Sequence, residues 1–122
     1  MTDNWNPFSD APQDKAKEDG AEAERGSEGG RIVRDEEHVL GARITLEKGC
    51  EIAPYAITCG IYGWMMHTCY LSEEDKAVEQ YEAMKAELSD LLGRAEALAS
   101  DGEEQRALLM EGCEKLVERF LT

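Results

Sequence analysis

From Tyr55 to Leu71 the chain carries no Asp, Glu, Lys or Arg, although these residues make up 33% of the whole. His67 is the one titratable base in that stretch. At about 3.3 Å per residue the segment exceeds an ordinary strand. Its glycines (Gly60, Gly63) and its β-branched and aromatic content disfavour a helix. One bent strand and two strands joined by a turn remain open, and both keep the same alternation. Tyr55, Ile57, Cys59, Ile61, Met65, His67, Cys69 and Leu71 fall on one face. Ala56, Thr58, Tyr62, Trp64, Met66, Thr68 and Tyr70 fall on the other.

Upstream, His38, Leu40, Ala42, Ile44 and Leu46 alternate with Val39, Gly41, Arg43, Thr45 and Glu47, the pattern of a half-buried strand. Ile32-Val33 reads as a short edge strand with the polar Asp35-Glu36-Glu37 as its exit. Downstream the period changes. Ala77, Tyr81, Met84, Leu88, Leu91, Ala95 and Leu98 recur in steps of four and three, a heptad-like helical seam. Ser72-Glu73-Glu74-Asp75 resembles a capping box, and Asp101-Gly102-Glu103-Glu104 marks a break and a second cap. The last helix gathers Leu109, Cys113, Leu116, Val117, Phe120 and Leu121 on one face, with Gly112 allowing close helix contact. Strands first and helices after read as α+β. The expectation is a small antiparallel sheet of two to four strands, followed by two antiparallel C-terminal helices packed on one face.

Charge divides the chain. Residues 1–37 hold 11 acids and 5 bases, and residues 38–122 hold 16 acids and 8 bases, so −6 and −8 make the net −14. Residues 1–30 are expected to be a disordered acidic tail, because little apolar surface is available there to offset ordering entropy. Residues 31–122 are expected to form a single α+β domain. Net acidity argues against nucleic-acid binding and against docking on an anionic membrane. No apolar run reaches the roughly 20 residues of a membrane span, and the N-terminus lacks a secretory pattern, so a cytoplasmic protein is expected.

The candidate sites follow from these patterns. Cys50, Cys59, Cys69 and Cys113 form no Cys-x-x-Cys pair, and a Cys50–Cys59–His67–Cys69 set matches no familiar ligand spacing, so neither metal nor other cofactor is expected. His67 and Cys69, two apart on one face, are the candidates for acid–base or thiol chemistry, against buried core residues as the alternative. Glu73, Glu74, Asp75, Glu79, Glu82 and Glu87 read as a solvated helix face. Tyr62, Trp64, Met66 and Tyr70 would point away from helices covering the other face, leaving an apolar patch that a partner covers, the alternative being that Ile32-Val33 and the tail fold over it. Asn6-Pro7-Phe8 resembles the Asn-Pro-Phe peptide read by EH domains of endocytic adaptors, which implies tail docking through Trp5 and Phe8.

The functional expectation is a non-enzymatic interaction module, forming a homodimer through the aromatic sheet face or the helix seam and open to a basic protein partner. The alternative is a small-molecule-binding or thiol-dependent catalytic domain with a pocket around Tyr62, Trp64, His67 and Cys69.

Overall fold

A computed structural model describes residues 5–7 and 26–120. Five antiparallel strands form one sheet in sequence order: β1 (Trp5–Pro7), β2 (Arg31–His38), β3 (Ala42–Lys48), β4 (Tyr55–Ile61) and β5 (Met65–Leu71). Two helices follow, α1 (Glu74–Glu96) and α2 (Gly102–Arg119), and α1 packs on β3, β4 and β5. The α+β order of strands then helices is as expected.

The strand number is corrected from two to four to five, and β1 supplies the difference. Trp5 lies opposite His38, and its ring meets the imidazole edge-on at 4.9 Å. The Lys85 ammonium lies 5.8 Å from the same indole. Burying one large aromatic side chain holds a three-residue strand in a polar stretch. Residues 8–25 of the expected acidic tail lie outside the described residues.

Asp35-Glu36-Glu37 does not leave the sheet; it lies inside β2. Each carboxylate has a donor from another element. Arg43 donates two bonds to Asp35, at 2.9 and 2.7 Å. Glu36 accepts from Tyr81 Oη at 2.6 Å and Lys85 Nζ at 3.1 Å. Glu37 accepts from Tyr62 Oη at 2.8 Å. These partners are 8 to 49 positions away in sequence, so the local polarity resembled an exit. A register shift between Ile32 and Arg34 inserts an extra residue, and this bulge puts Ile32 and Asp35 on the same face.

Tyr55–Leu71 is a hairpin. Ile61 pairs with Met65 across Tyr62-Gly63-Trp64, where Gly63 takes φ 82° and Trp64 N–H donates to the Ile61 carbonyl. Because paired residues share a face, the expected alternation carries through the turn unchanged.

The helix-covered face of the sheet holds Ala42, Ile44, Leu46, Ile57, Cys59, Ile61 and Cys69, all buried. Against it α1 sets Ala77, Tyr81, Met84, Leu88, Leu91 and Ala95 of the expected seam, each buried, whereas Leu98, its last expected position, lies in the turn after α1 and is half-buried. Leu109, Cys113 and Leu116 of α2 complete the core. A Cβ on Gly112 would overlap Leu91 Cδ1, so glycine lets α2 approach α1 closely. Asp101 caps α2, accepting from Glu104 N–H at 3.2 Å. The box expected at Ser72 does not form: Glu73 is the N-cap of α1 and makes no side-chain cap bond. Acids at Glu74 and Asp75 still complement the helix dipole.

Candidate functional site

Among the described residues, no helix covers the second face of the sheet. Its side chains form three rows across the strands. One row is Glu37, Arg43, Gly60 and Met66. The next is Asp35, Thr45, Thr58 and Thr68. The last is Ile32, Glu47, Ala56 and Tyr70.

The first row contains a gap, since Gly60 places bare backbone between Arg43 and Met66. That gap is the floor of a cleft of about 680 Å³, walled by Ile32, Thr45, Thr58, Tyr62, Trp64 and Met66. Tyr62, Trp64 and Met66 are 51%, 41% and 80% exposed. Three large apolar side chains thus stand in water at one end of the open face.

Below them the polar groups are mutually satisfied. The two-pronged Arg43–Asp35 bond is joined by Thr45 Oγ1, 3.4 Å from Asp35. Thr58 and Thr68 hydroxyls lie 3.1 Å apart. Among the described residues, the open face therefore presents no unpaired carboxylate beside its aromatic rim, which lowers the desolvation penalty of covering it.

The third row is lidded. The turn over Gly26–Gly30 bends over Glu47, whose Oε1 accepts the Gly30 and Glu28 N–H groups, each at 3.1 Å. Burial pushes the Glu47 carboxyl above its ordinary range, and these two bonds oppose the shift. Tyr70 Oη donates to Glu28 Oε1 at 2.6 Å, which holds its phenol protonated above the usual range. Tyr70 is accordingly half-buried beside the turn, apart from Tyr62, Trp64 and Met66.

His67 and Cys69 lie on the helix-covered face, so the pocket expected from Tyr62, Trp64, His67 and Cys69 is split across the two sides of the sheet. His67 Nε2–H donates to the Phe120 carbonyl at 2.8 Å. Cys69 is fully buried, with its Sγ 3.7 Å from Met84 Sδ. Cys59, which also points to the helices, has its thiol pushed up to about 12, chiefly by burial. Burial and the nearby Glu47 and Glu28 carboxylates push Cys50 up to about 11. Such thiols hold little thiolate near neutrality. Among the described residues, no group of three His, Cys, Asp or Glu side chains is placed to hold a metal ion. No helix of the described residues is long and apolar enough to cross a membrane.

Trp5, expected as a tail anchor, is spent on this chain's own sheet, where it is buried. Phe8 lies outside the described residues. Arg43, Asp35, Gly60 and the threonines of the cleft were not singled out from sequence. The alternation of Arg43, Thr45 and Glu47 placed them on one face, and that was the signal available.

No family model, curated protein or solved structure matches this chain.

Proposed function

We propose that the protein is a non-enzymatic interaction module that self-associates through the open face of its sheet. The observation that carries this reading is the exposed trio Tyr62, Trp64 and Met66 on a face that no helix of the described residues covers. Soluble proteins seldom leave such a patch uncovered, and aromatic side chains are favoured anchors at interfaces. Two copies stacked face to face would bury the trio with its equivalent, in the geometry of packed sheets about 10 Å apart.

Charge permits this arrangement. The carboxylates of Glu74, Asp75, Glu79 and Glu82 lie on the outer surface of α1, behind the sheet. Across such a dimer these stripes would be separated by more than a Debye length of about 8 Å, so their repulsion is screened.

Trp64 reports the association directly. Trp5 is already buried, so a blue shift of tryptophan emission on raising protein concentration should come from Trp64 alone. The shift is expected in the native chain and absent in Trp64→Phe. Emission that does not depend on concentration would contradict self-association.

A second reading rests on the volume of the cleft. About 680 Å³ with a polar floor lies in the range of small-molecule sites. It is the weaker reading because Met66 and Tyr62 project outward, where a small ligand would leave them wet. A ligand seated in the cleft would quench or shift Trp64 in dilute, monomeric protein.

A further inference from the structure

The sheet has two edges, and the chain treats them differently. β1 ends one edge with three residues, one of them Pro7, which lacks a backbone donor. Short strands and proline are devices that stop an edge from pairing. β5 ends the other edge with seven residues, Met65 to Leu71, containing no proline, glycine, Asp, Glu, Lys or Arg. No strand of the described residues pairs with its outer side. Half of the backbone N–H and C=O groups of an edge strand point outward, ready to bond an added strand.

Beside this edge runs α2. Trp64 and Met65 face Met110, Cys113 and Val117 across a groove of about 540 Å³. The His67–Phe120 bond ties the end of α2 to β5. The charged residues lining the groove are Glu114 and Glu118, both exposed and without an ion pair. The neighbouring cations are engaged elsewhere, Lys115 with Glu111 and Arg119 with Glu87.

We infer that the β5 edge and the α2 groove together accept an extended basic segment of a partner protein by strand addition. Two independent features select this occupant. The free edge calls for an extended backbone. The wall calls for cations: Glu114 and Glu118, four apart on a helix, are separated by about 6 Å along its axis. Alternate side chains on a strand repeat at about 6.6 Å, so basic residues at positions i and i+2 match the two carboxylates. A leading apolar residue two positions earlier would meet Trp64 and Met110. A second copy of this chain fits poorly, because its β5 brings no Lys or Arg and edge-to-edge pairing would set Glu114 and Glu118 against their equivalents. The inference does not rest on self-association, although Trp64 borders both surfaces.

The test uses the full chain and a fluorescein-labelled peptide of sequence Leu-Thr-Lys-Thr-Lys-Thr with blocked ends. Fluorescence anisotropy should show saturable binding that weakens with added salt. Replacing both lysines by glutamate should abolish it. Two N-methylated peptides, one blocking the Leu and Lys amides and one the Thr amides, remove the donors of one strand edge each. One of the two should lose binding. Glu114→Gln and Glu118→Gln should each weaken binding about fivefold, as expected for an exposed ion pair, whereas Glu103→Gln and Ile52→Asp, both away from β5 and the groove, should leave it unchanged. Equal binding of the glutamate peptide, or full binding of both N-methylated peptides, would overturn the inference. So would binding indifferent to both glutamine variants.

Discussion

The two faces of the sheet are built from the same strands yet solve opposite problems. On the covered face, Ile44, Ile57, Cys59 and Cys69 alternate into a dry core closed by Tyr81, Met84, Leu88 and Leu91. The charges that border it, such as Glu36, are held by partners from α1. On the open face the alternate residues are threonines, a glycine and paired charges, and the large apolar groups are pushed to one rim. The covered face is specified by shape, so a change there is felt as lost stability. The polar groups of the open face are already satisfied among the described residues, so on the proposed reading a change there leaves stability nearly unaltered and is felt in association. The fold is thus held by one face while Tyr62, Trp64 and Met66 stay exposed on the other.

Substitutions should respect that division, from large effects to small. Leu88→Ala, at a fully buried site in the α1 seam, should cost about 2–5 kcal/mol in urea denaturation, as buried leucine truncations do. A cost near zero would mean that the helices do not pack on the sheet as described. Gly112→Val should cost about 1–3 kcal/mol, because the new side chain drives into buried Leu91 where α1 and α2 touch. Tyr81→Phe removes the hydroxyl that donates to Glu36 and should cost about 1.5 kcal/mol, since the lost bond is to a charged group.

Glu47→Gln tests the lidded corner of the open face by pH. The folded-state pKa of Glu47 is raised, mainly by burial. A raised carboxyl favours the folded state while protonated, and that contribution is lost as pH rises through the folded pKa. Glutamine keeps an oxygen for the Gly30 and Glu28 N–H groups and never ionises. The variant should therefore be at least as stable as the native chain at pH 7. Its advantage should shrink as pH falls through the folded pKa of Glu47 and be gone below the unfolded carboxylate range. A variant that is destabilised at pH 7 and not at pH 4 would reverse the sign and sink this account of the corner.

Thiol chemistry sharpens the same contrast. With Cys59 pushed up to about 12 and Cys50 to about 11, alkylation of the native chain near neutrality should be slow. It should become rapid once urea opens the fold. Fast labelling of Cys69 in native protein would instead revive the catalytic alternative.

Much of this was legible in the amino-acid pattern, for physical reasons that also mark where legibility stops. The heptad seam of α1 and the alternation of Tyr55–Leu71 were readable because burial repeats with the period of the element. The alternation survived an unplaced turn, since Ile61 and Met65, four apart, share a face. The acids of β2 were misread because their donors, Arg43, Tyr81, Lys85 and Tyr62, belong to other elements that only the fold brings near. β1 was missed because three residues carry no period and Trp5 alone makes its case. The bulge at Ile32–Arg34 broke the alternation that would have joined Ile32 to Asp35. For the site, the rim residues Tyr62, Trp64 and Met66 were readable from their face. Tyr70 was set apart by a turn from residues 26–30, and the pairing of His67 with Tyr62 failed because parity puts them on opposite sides.

Met66→Asp should change stability by no more than about 0.5 kcal/mol, as surface substitutions commonly do, and it supports the most direct test of the open face. Ile52→Asp is the matched control, because Ile52 is also highly exposed, at 72%, but lies in the β3–β4 loop. Sedimentation velocity of native, Met66→Asp and Ile52→Asp proteins over a wide concentration range separates the possibilities. The native chain and Ile52→Asp should reach twice the 13.6 kDa chain mass, and Met66→Asp should stay at the single-chain mass. A native chain that sediments as a monomer throughout, or a Met66→Asp variant that still dimerises, would contradict the assignment of the open face as the surface of association.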